Sequence, residues 1–200
     1  PHASDGAYAY AGTCRDLSKS EREEHSKHKI PETRIRVPNK TYAFEDKVYG
    51  QTSQNLSKLC GDFIVQRADE VFAYQLAVVV DDADMGVTEV VRGSDLLSST
   101  PRQLYLQDVL GFSHPIYAHL PLLVAPDGRR LSKRNHDLDL GVLRDQGKTP
   151  EEILGFLAYC VGLAEKEEPL SAVQVANRFS WDVLRAHRKN VVVEHFSHVL

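Results

Sequence analysis

A chain of 200 residues with 42% hydrophobic content and a net charge of −4 can build one large or two small domains around a sizeable core. No window approaches eighteen uninterrupted apolar residues, and residues 1–29 are polar and rich in His, Lys and Glu. Nothing here reads as a membrane span or a secretory signal, so the expected compartment is the cytoplasm. Cys14, Cys60 and Cys160 lie far apart with no C-x-x-C, which suits a reducing environment, and the acidic balance disfavours indiscriminate nucleic-acid binding.

Residues 1–45 show little apolar periodicity and carry Pro31 and Pro38 among many charges. They read as loops, a short charged helix near Ser18–Lys27 and an extended piece at Thr33–Val37. Arg15–Lys40 holds eight Lys/Arg against five Asp/Glu, an excess that fits a phosphate backbone and fits a solvated loop as well. Asp62–Val65 is a short β-rich run. Phe72–Val80 is long enough for a buried helix or a buried strand, and periodicity does not separate the two. Thr88–Arg92 before Gly93 reads as a buried strand with a glycine exit.

Thr100-Pro101-Arg102-Gln103 predicts a helix start with Thr100 as the capping hydroxyl, and Gly111 its left-handed close. Ile116–Val124 is a further strand candidate. Strand, helix and strand in that order predict a β-α-β unit with a parallel sheet. Ligands of such sheets gather at the carboxyl ends of strands, which here points to Gly93-Ser94-Asp95 and Pro126–Arg134. Beyond Asp137 the pattern is helical throughout. Thr149-Pro150-Glu151-Glu152 and Ser171-Ala172-Val173-Gln174 are capping boxes, and Ile153, Leu154, Phe156, Leu157, Cys160, Val161 and Leu163 form a broad apolar face.

The chemistry-bearing stretch is Gly128-Arg129-Arg130-Leu131-Ser132-Lys133-Arg134, four cations and a hydroxyl on a glycine-led loop after the apolar Leu120–Val124. Such a loop can close on a polyphosphate; taken alone, it also fits a solvated basic turn. Asp81 and Asp82 project about 100° apart on a helix and read as surface carboxylates rather than ligands of one ion. His25 and His28 have a helix-compatible ligand spacing but read as a charged surface turn, and Cys160 reads as a core residue.

Three segments, taken together, resemble one family: Phe72–Asp82, then Val91-Arg92-Gly93-Ser94-Asp95-Leu96-Leu97-Ser98-Ser99-Thr100-Pro101-Arg102-Gln103, then His119–Leu123 leading into Arg130-Leu131-Ser132-Lys133-Arg134. The last five residues resemble the lysine-serine-lysine signature loop of class I aminoacyl-tRNA synthetases, and the set is similar to the glutamyl subgroup over roughly residues 60–185. Tyr10-Ala11-Gly12-Thr13-Cys14-Arg15 and the short tail look most like the glutamyl-Q tRNA(Asp) type, which lacks an anticodon-binding domain.

The resemblance implies a ligase that activates L-glutamate with ATP and Mg²⁺, releases pyrophosphate, and passes the acyl group to the queuosine base of tRNA(Asp). Two alternatives stand beside it: a truncated glutamyl-tRNA synthetase charging tRNA(Glu), and a non-catalytic RNA-binding module derived from a synthetase. It assigns glutamate binding to Tyr74 and Arg92, ATP binding to Arg130, Leu131, Ser132, Lys133 and Arg134, and the catalytic role to Lys133, whose charge suits a leaving pyrophosphate. Ser94 and Asp95 fall on the adenosine and substrate side. Tyr10 and Cys14 match half of a zinc site whose other two ligands are an upstream cysteine pair absent from this sequence. The implied fold is α/β: an insertion-type segment (1–72), the second half of a Rossmann-type nucleotide-binding domain (73–136) and a helical C-terminal region (137–200), acting as a monomer. The family's first half, with its histidine-containing ATP motif, is not found in these residues, so a fragment of doubtful isolated activity is expected.

Overall fold

The computed structural model describes residues 9–131 and 140–193. They form two compact units interleaved along the chain: one made of the stretch up to Asp46, Gln51–Val90 and Asp95–Tyr117, the other of Lys47–Gly50, Val91–Ser94 and the stretch from Ala118 on. Elements run as α1 (Lys19–His28), β1 (Thr33–Ile35), β2 (Thr41–Asp46), β3 (Gly50–Asn55), α2 (Leu56–Leu59), β4 (Phe63–Gln66), α3 (Tyr74–Asp84), β5 (Glu89–Gly93), a 3₁₀ turn (Ser94–Ser99), α4 (Thr100–Leu110), β6 (Ile116–Leu120), β7 (Leu123–Val124), α5 (Leu140–Asp145), α6 (Pro150–Cys160), α7 (Ala172–Arg178), α8 (Trp181–Ala186) and β8 (Val191–Val192). The mixed α/β class is the expected one.

In the first unit, α1 starts where the sequence placed it, since the Ser18 hydroxyl accepts the Glu21 N–H and the Glu21 side chain answers the Ser18 N–H. No residue of α1 is buried. Strand β1 pairs antiparallel with β4, Arg34 facing Ile64 and Ile35 facing Phe63. The principal sheet has the order β3-β2-β6-β5, with Asp46 and Tyr117 paired in parallel. Strand β2 falls, but for Asp46, within residues 1–45, a stretch expected to be mainly loops. Phe72–Val80 resolves as a helix that begins only at Tyr74, leaving Phe72 61% exposed and Val79 the buried anchor of α3. Val37, Tyr42, Leu56, Phe63, Val79, Leu104 and Tyr117 form the core.

The start of α4 differs from expectation. The 3₁₀ turn runs straight into the helix, so that Ser99, already in right-handed geometry, holds the cap position, Thr100 is the first helical residue, and no side-chain cap is made. Its N-terminal half is buried, and several of its polar groups bond to each other and to neighbouring elements, while Arg102 Nε and Gln107 Oε1 are buried without a hydrogen-bond partner. The Ser99 hydroxyl accepts from Gln75 Nε2 (3.1 Å) and Arg102 Nη2 (3.2 Å), Gln103 Nε2 donates to Gln75 Oε1 (2.9 Å), and Gln107 Nε2 donates to the Tyr117 hydroxyl (3.1 Å). These bonds offset the cost of burying so many polar groups. Gly111 closes the helix at φ 73°, as the sequence required.

In the second unit, both expected capping boxes are present, at Thr149/Glu152 and Ser171/Gln174. Leu143, Phe156 and Val193 form one apolar cluster with Leu123, Leu131, Ile153, Cys160 and Val191 against it, and Ala158, Ala164 and Leu170 form another. Two expectations need correction. The strand foreseen over Ile116–Val124 is two strands, broken after Leu120 by Pro121, which has no N–H for a ladder. The C-terminal region is not helical throughout: β8 pairs in parallel with β7, Leu123 facing Val191 and Val124 facing Val192. The arm leading to β8 is tied down by Arg185 Nε to the Lys47 carbonyl (2.7 Å) and by the Tyr49 hydroxyl to the Arg188 carbonyl (2.9 Å).

Candidate active site

Arg92 lies near the end of β5, partly buried, and its Nε–H donates to Nε2 of His119 at 3.0 Å. His119 is on β6 with no exposed surface. A ring nitrogen that accepts from a guanidinium carries no proton, so the ring proton of His119 sits on Nδ1. A bond through Nε fixes the guanidinium plane, while an arginine grips a carboxylate end-on through its two terminal nitrogens. His119 escaped sequence reasoning as a partner of Arg92. No local pattern links two residues 27 apart, and only strand adjacency joins them.

The basic loop begins as a tight hairpin. Gly128 N–H donates to the Ala125 carbonyl (2.8 Å), and Ala125 N–H to the Arg129 carbonyl (2.8 Å). Pro126-Asp127 supply the turn, and Gly128 takes the left-handed φ of 79° that a side chain would resist. Asp127 accepts from the Arg129 N–H through Oδ1 (2.9 Å), and its other carboxylate oxygen lies 3.6 Å from Arg129 Nε. The return arm bridges Val124 to Arg130, and Leu131 N–H donates to the Leu123 carbonyl at 3.3 Å. Arg129 and Arg130 are exposed, whereas the Leu131 side chain joins the apolar cluster of Phe156 and Val193. Ser132, Lys133 and Arg134 lie outside the described residues.

Tyr74 opens α3 and is 53% exposed. It belongs to the first unit and Arg92 to the second. Ser94 and Asp95 form the start of the 3₁₀ turn directly after β5, the carboxyl-end position foreseen for ligand contacts. Asp81 is exposed on α3, and Asp82 half-buried.

Tyr10 and Cys14 are brought together. The Cys14 N–H donates to the Tyr10 hydroxyl at 2.8 Å, and Arg34 lies over the Tyr10 ring at 4.3 Å. The Cys14 amide favours the phenolate, but the Cys14 thiol and burial outweigh it, leaving the phenol above its ordinary range. Asp62 braces this segment from below: its Oδ1 accepts the Val37 N–H (2.8 Å) and its Oδ2 faces Arg15 Nε (3.3 Å). Among the described residues no group of three or more His, Cys, Asp or Glu could hold a metal ion. A cavity of about 600 Å³ in the second unit is lined by Phe156, Tyr159, Cys160, Glu167, His187 and Val193, with none of Arg92, Arg130 or Leu131 on its walls.

The family profile described as tRNA synthetases class I (E and Q), catalytic domain, matches residues 2–197. The chain belongs to that family. Among class I (E and Q) relatives, it is 46% identical over 184 residues to the glutamyl-Q tRNA(Asp) synthetase of Symbiobacterium thermophilum, covering 92% of this chain and 56% of that protein. It is 50% identical over 145 residues to the enzyme of the same name from Geobacter sulfurreducens, covering 72% and 44%. The crystal structure of glutamate-tRNA synthetase from Elizabethkingia anophelis shares the fold, with a TM-score of 0.73 at 24% identity over 94% of this chain and 43% of that one. The chain thus spans about half the length of the curated relatives it matches. Class I synthetases in general use ATP with magnesium.

Proposed function

We propose that the chain is part of a cytoplasmic, monomeric glutamate-activating synthetase of the glutamyl-Q tRNA(Asp) type. Its three sequence regions would serve as an insertion-type segment (1–72), the second half of the nucleotide-binding domain (73–136) and a helical C-terminal region (137–200). Arg92 pairs with the side-chain carboxylate of L-glutamate, Tyr74 orients the substrate through its hydroxyl, and Arg130–Arg134 contacts ATP, which arrives as its magnesium complex. The glutamate α-carboxylate attacks the α-phosphorus, the bond to the bridging oxygen breaks, and Lys133 stabilises the charge gathering on the departing pyrophosphate. The acyl group then passes to the queuosine base of tRNA(Asp).

The observation that carries the reading is the guanidinium of Arg92, oriented near a strand end by a buried histidine. Names of relatives at 46% and 50% identity support the acceptor. Tyr10 and Cys14 would give two of the four donors of a structural zinc ion, the rest coming from outside the described residues; zinc there would supply a rigid closure of the loop. Glutamate-dependent ATP–pyrophosphate exchange by the full-length parent protein tests the activity. Lys133→Ala is expected to lower adenylate formation far more than glutamate affinity, and Arg92→Ala to raise the glutamate KM steeply. An unchanged KM removes Arg92 from the site. Transfer of labelled glutamate to tRNA(Glu) rather than tRNA(Asp) would replace the acceptor.

A further inference from the structure

Strand β7 is only two residues long, yet both of its edges are occupied. On one side the return arm of the basic hairpin bonds back through Arg130 and Leu131. On the other, Val191 N–H donates to the Leu122 carbonyl (2.9 Å) and Val193 N–H to the Val124 carbonyl (2.8 Å). One further bond precedes these two: Leu122 N–H donates to the side-chain Oδ1 of Asn190 at 3.0 Å. Because Pro121 has no N–H, Leu122 carries the first donor after the break between β6 and β7, and Asn190 receives it. Leu123, Leu131, Val191 and Val193 all pack with Leu143 and Phe156, so the three segments also share one apolar cluster.

A lone two-stranded hairpin is marginal in water, and a third strand with an apolar face makes it stable. We infer that Asn190 and strand β8 form a positioning element for the basic hairpin, holding Gly128–Arg130 at a fixed pitch from a point sixty residues further along the chain. Asn190 acts through the Leu122 backbone and touches no substrate. The inference rests on the reading above, that the hairpin contacts ATP, and assigns a role to the C-terminal stretch Asn190–Val193.

Trypsin nicking after Arg129 and Arg130, followed by mass spectrometry on the folded chain, reports opening of the hairpin directly. Loss of one acceptor in Asn190→Ala is expected to speed nicking there on the order of fivefold. Cleavage after the exposed Arg67, in the other unit, stays unchanged. Asn190→Asp keeps an oxygen for the Leu122 N–H and restores the wild-type rate. Wild-type nicking in Asn190→Ala, equal acceleration at Arg67, or failure of Asn190→Asp to rescue would each overturn the inference. In the full-length parent protein, Asn190→Ala should raise the ATP KM of pyrophosphate exchange about as much as it raises nicking, with the glutamate KM constant. Faster nicking with an unchanged ATP KM would overturn the link to ATP. If the wild-type parent performs no exchange, the functional reading fails while the nicking arm still decides whether β8 positions the hairpin.

Discussion

Replacing Gly155 by alanine sets two effects of opposite sign against each other. Gly155 lies inside α6, where alanine is normally better than glycine by about 1 kcal/mol. Here the backbone of another segment comes too close. A Cβ at Gly155 would stand 1.8 Å from the carbonyl oxygen of Glu168 and 2.8 Å from its carbon, where ordinary contact begins at 3.4 Å. The helix and the Glu168–Leu170 strip would have to separate by roughly 1.5 Å. Neither can yield alone, because Leu170 N–H is bonded to the Glu151 carbonyl (2.9 Å) and the Leu170 side chain is buried beside Ala158. Overpacking against rigid backbone costs about 3 kcal/mol, the upper end of its usual range, leaving a net loss of about 2 kcal/mol after the helix gain. For a chain of this size that is a drop in Tm of about 4–8 °C, read by circular dichroism at 222 nm. An unchanged or raised Tm for Gly155→Ala would refute the close approach.

Asp62→Ala should lower stability in urea by about 2 kcal/mol, most of it from leaving the buried Val37 N–H without an acceptor, since Arg15 is partly exposed and its pair is screened. Asp62→Asn, which retains an oxygen, should lose clearly less; equal losses would place the effect elsewhere. Burial pushes the Cys60 thiol up to about 11, with Arg102 opposing and Asp62 reinforcing, and burial likewise pushes Cys160 up to about 11. The folded state therefore keeps these protons where the unfolded chain has released them. Their contribution is fully present below the unfolded thiol pKa of about 8.5 and is lost as pH rises toward 11. Urea midpoints should fall over that window, and a Cys60→Ser, Cys160→Ser double variant should flatten the fall. At pH 8 the exposed Cys14 should react with a disulfide reagent well before the other two thiols. Equal rates for all three would contradict their burial.

What could be read from the chain alone was whatever a few neighbouring residues decide. The capping boxes at Thr149 and Ser171 are such local devices, and both exist as written. Gly111 likewise holds the left-handed backbone that its position suggested. Thr100-Pro101-Arg102-Gln103 has the same local grammar as a cap, but the preceding 3₁₀ turn already supplies helical backbone, and tertiary bonds claim the side chains. Strand β2 hid because its inward face includes a buried acid, Asp46, which spoils the apolar alternation. Strand β8 is two residues long and owes its existence to β7, far away in sequence. The site followed the same rule. Arg92 and the basic loop stood out through resemblance, whereas His119 and Asn190 act through strand neighbours that no short pattern encodes.

The interleaving of the two units governs how this polypeptide can be divided. Lys47–Gly50 and Val91–Ser94 belong by contact with residues from Ala118 onward. A single scission at 117/118 would leave the downstream piece without the Tyr49 hydroxyl that caps the Arg188 carbonyl, without the Lys47 carbonyl held by Arg185, and without the guanidinium that His119 receives. The downstream product would not be a self-sufficient module. Minimal expression boundaries therefore have to keep both short excursions in one continuous molecule, and an inserted tag that leaves the chain unbroken belongs in the turn at Arg67–Glu70, where Arg67, Asp69 and Glu70 are exposed.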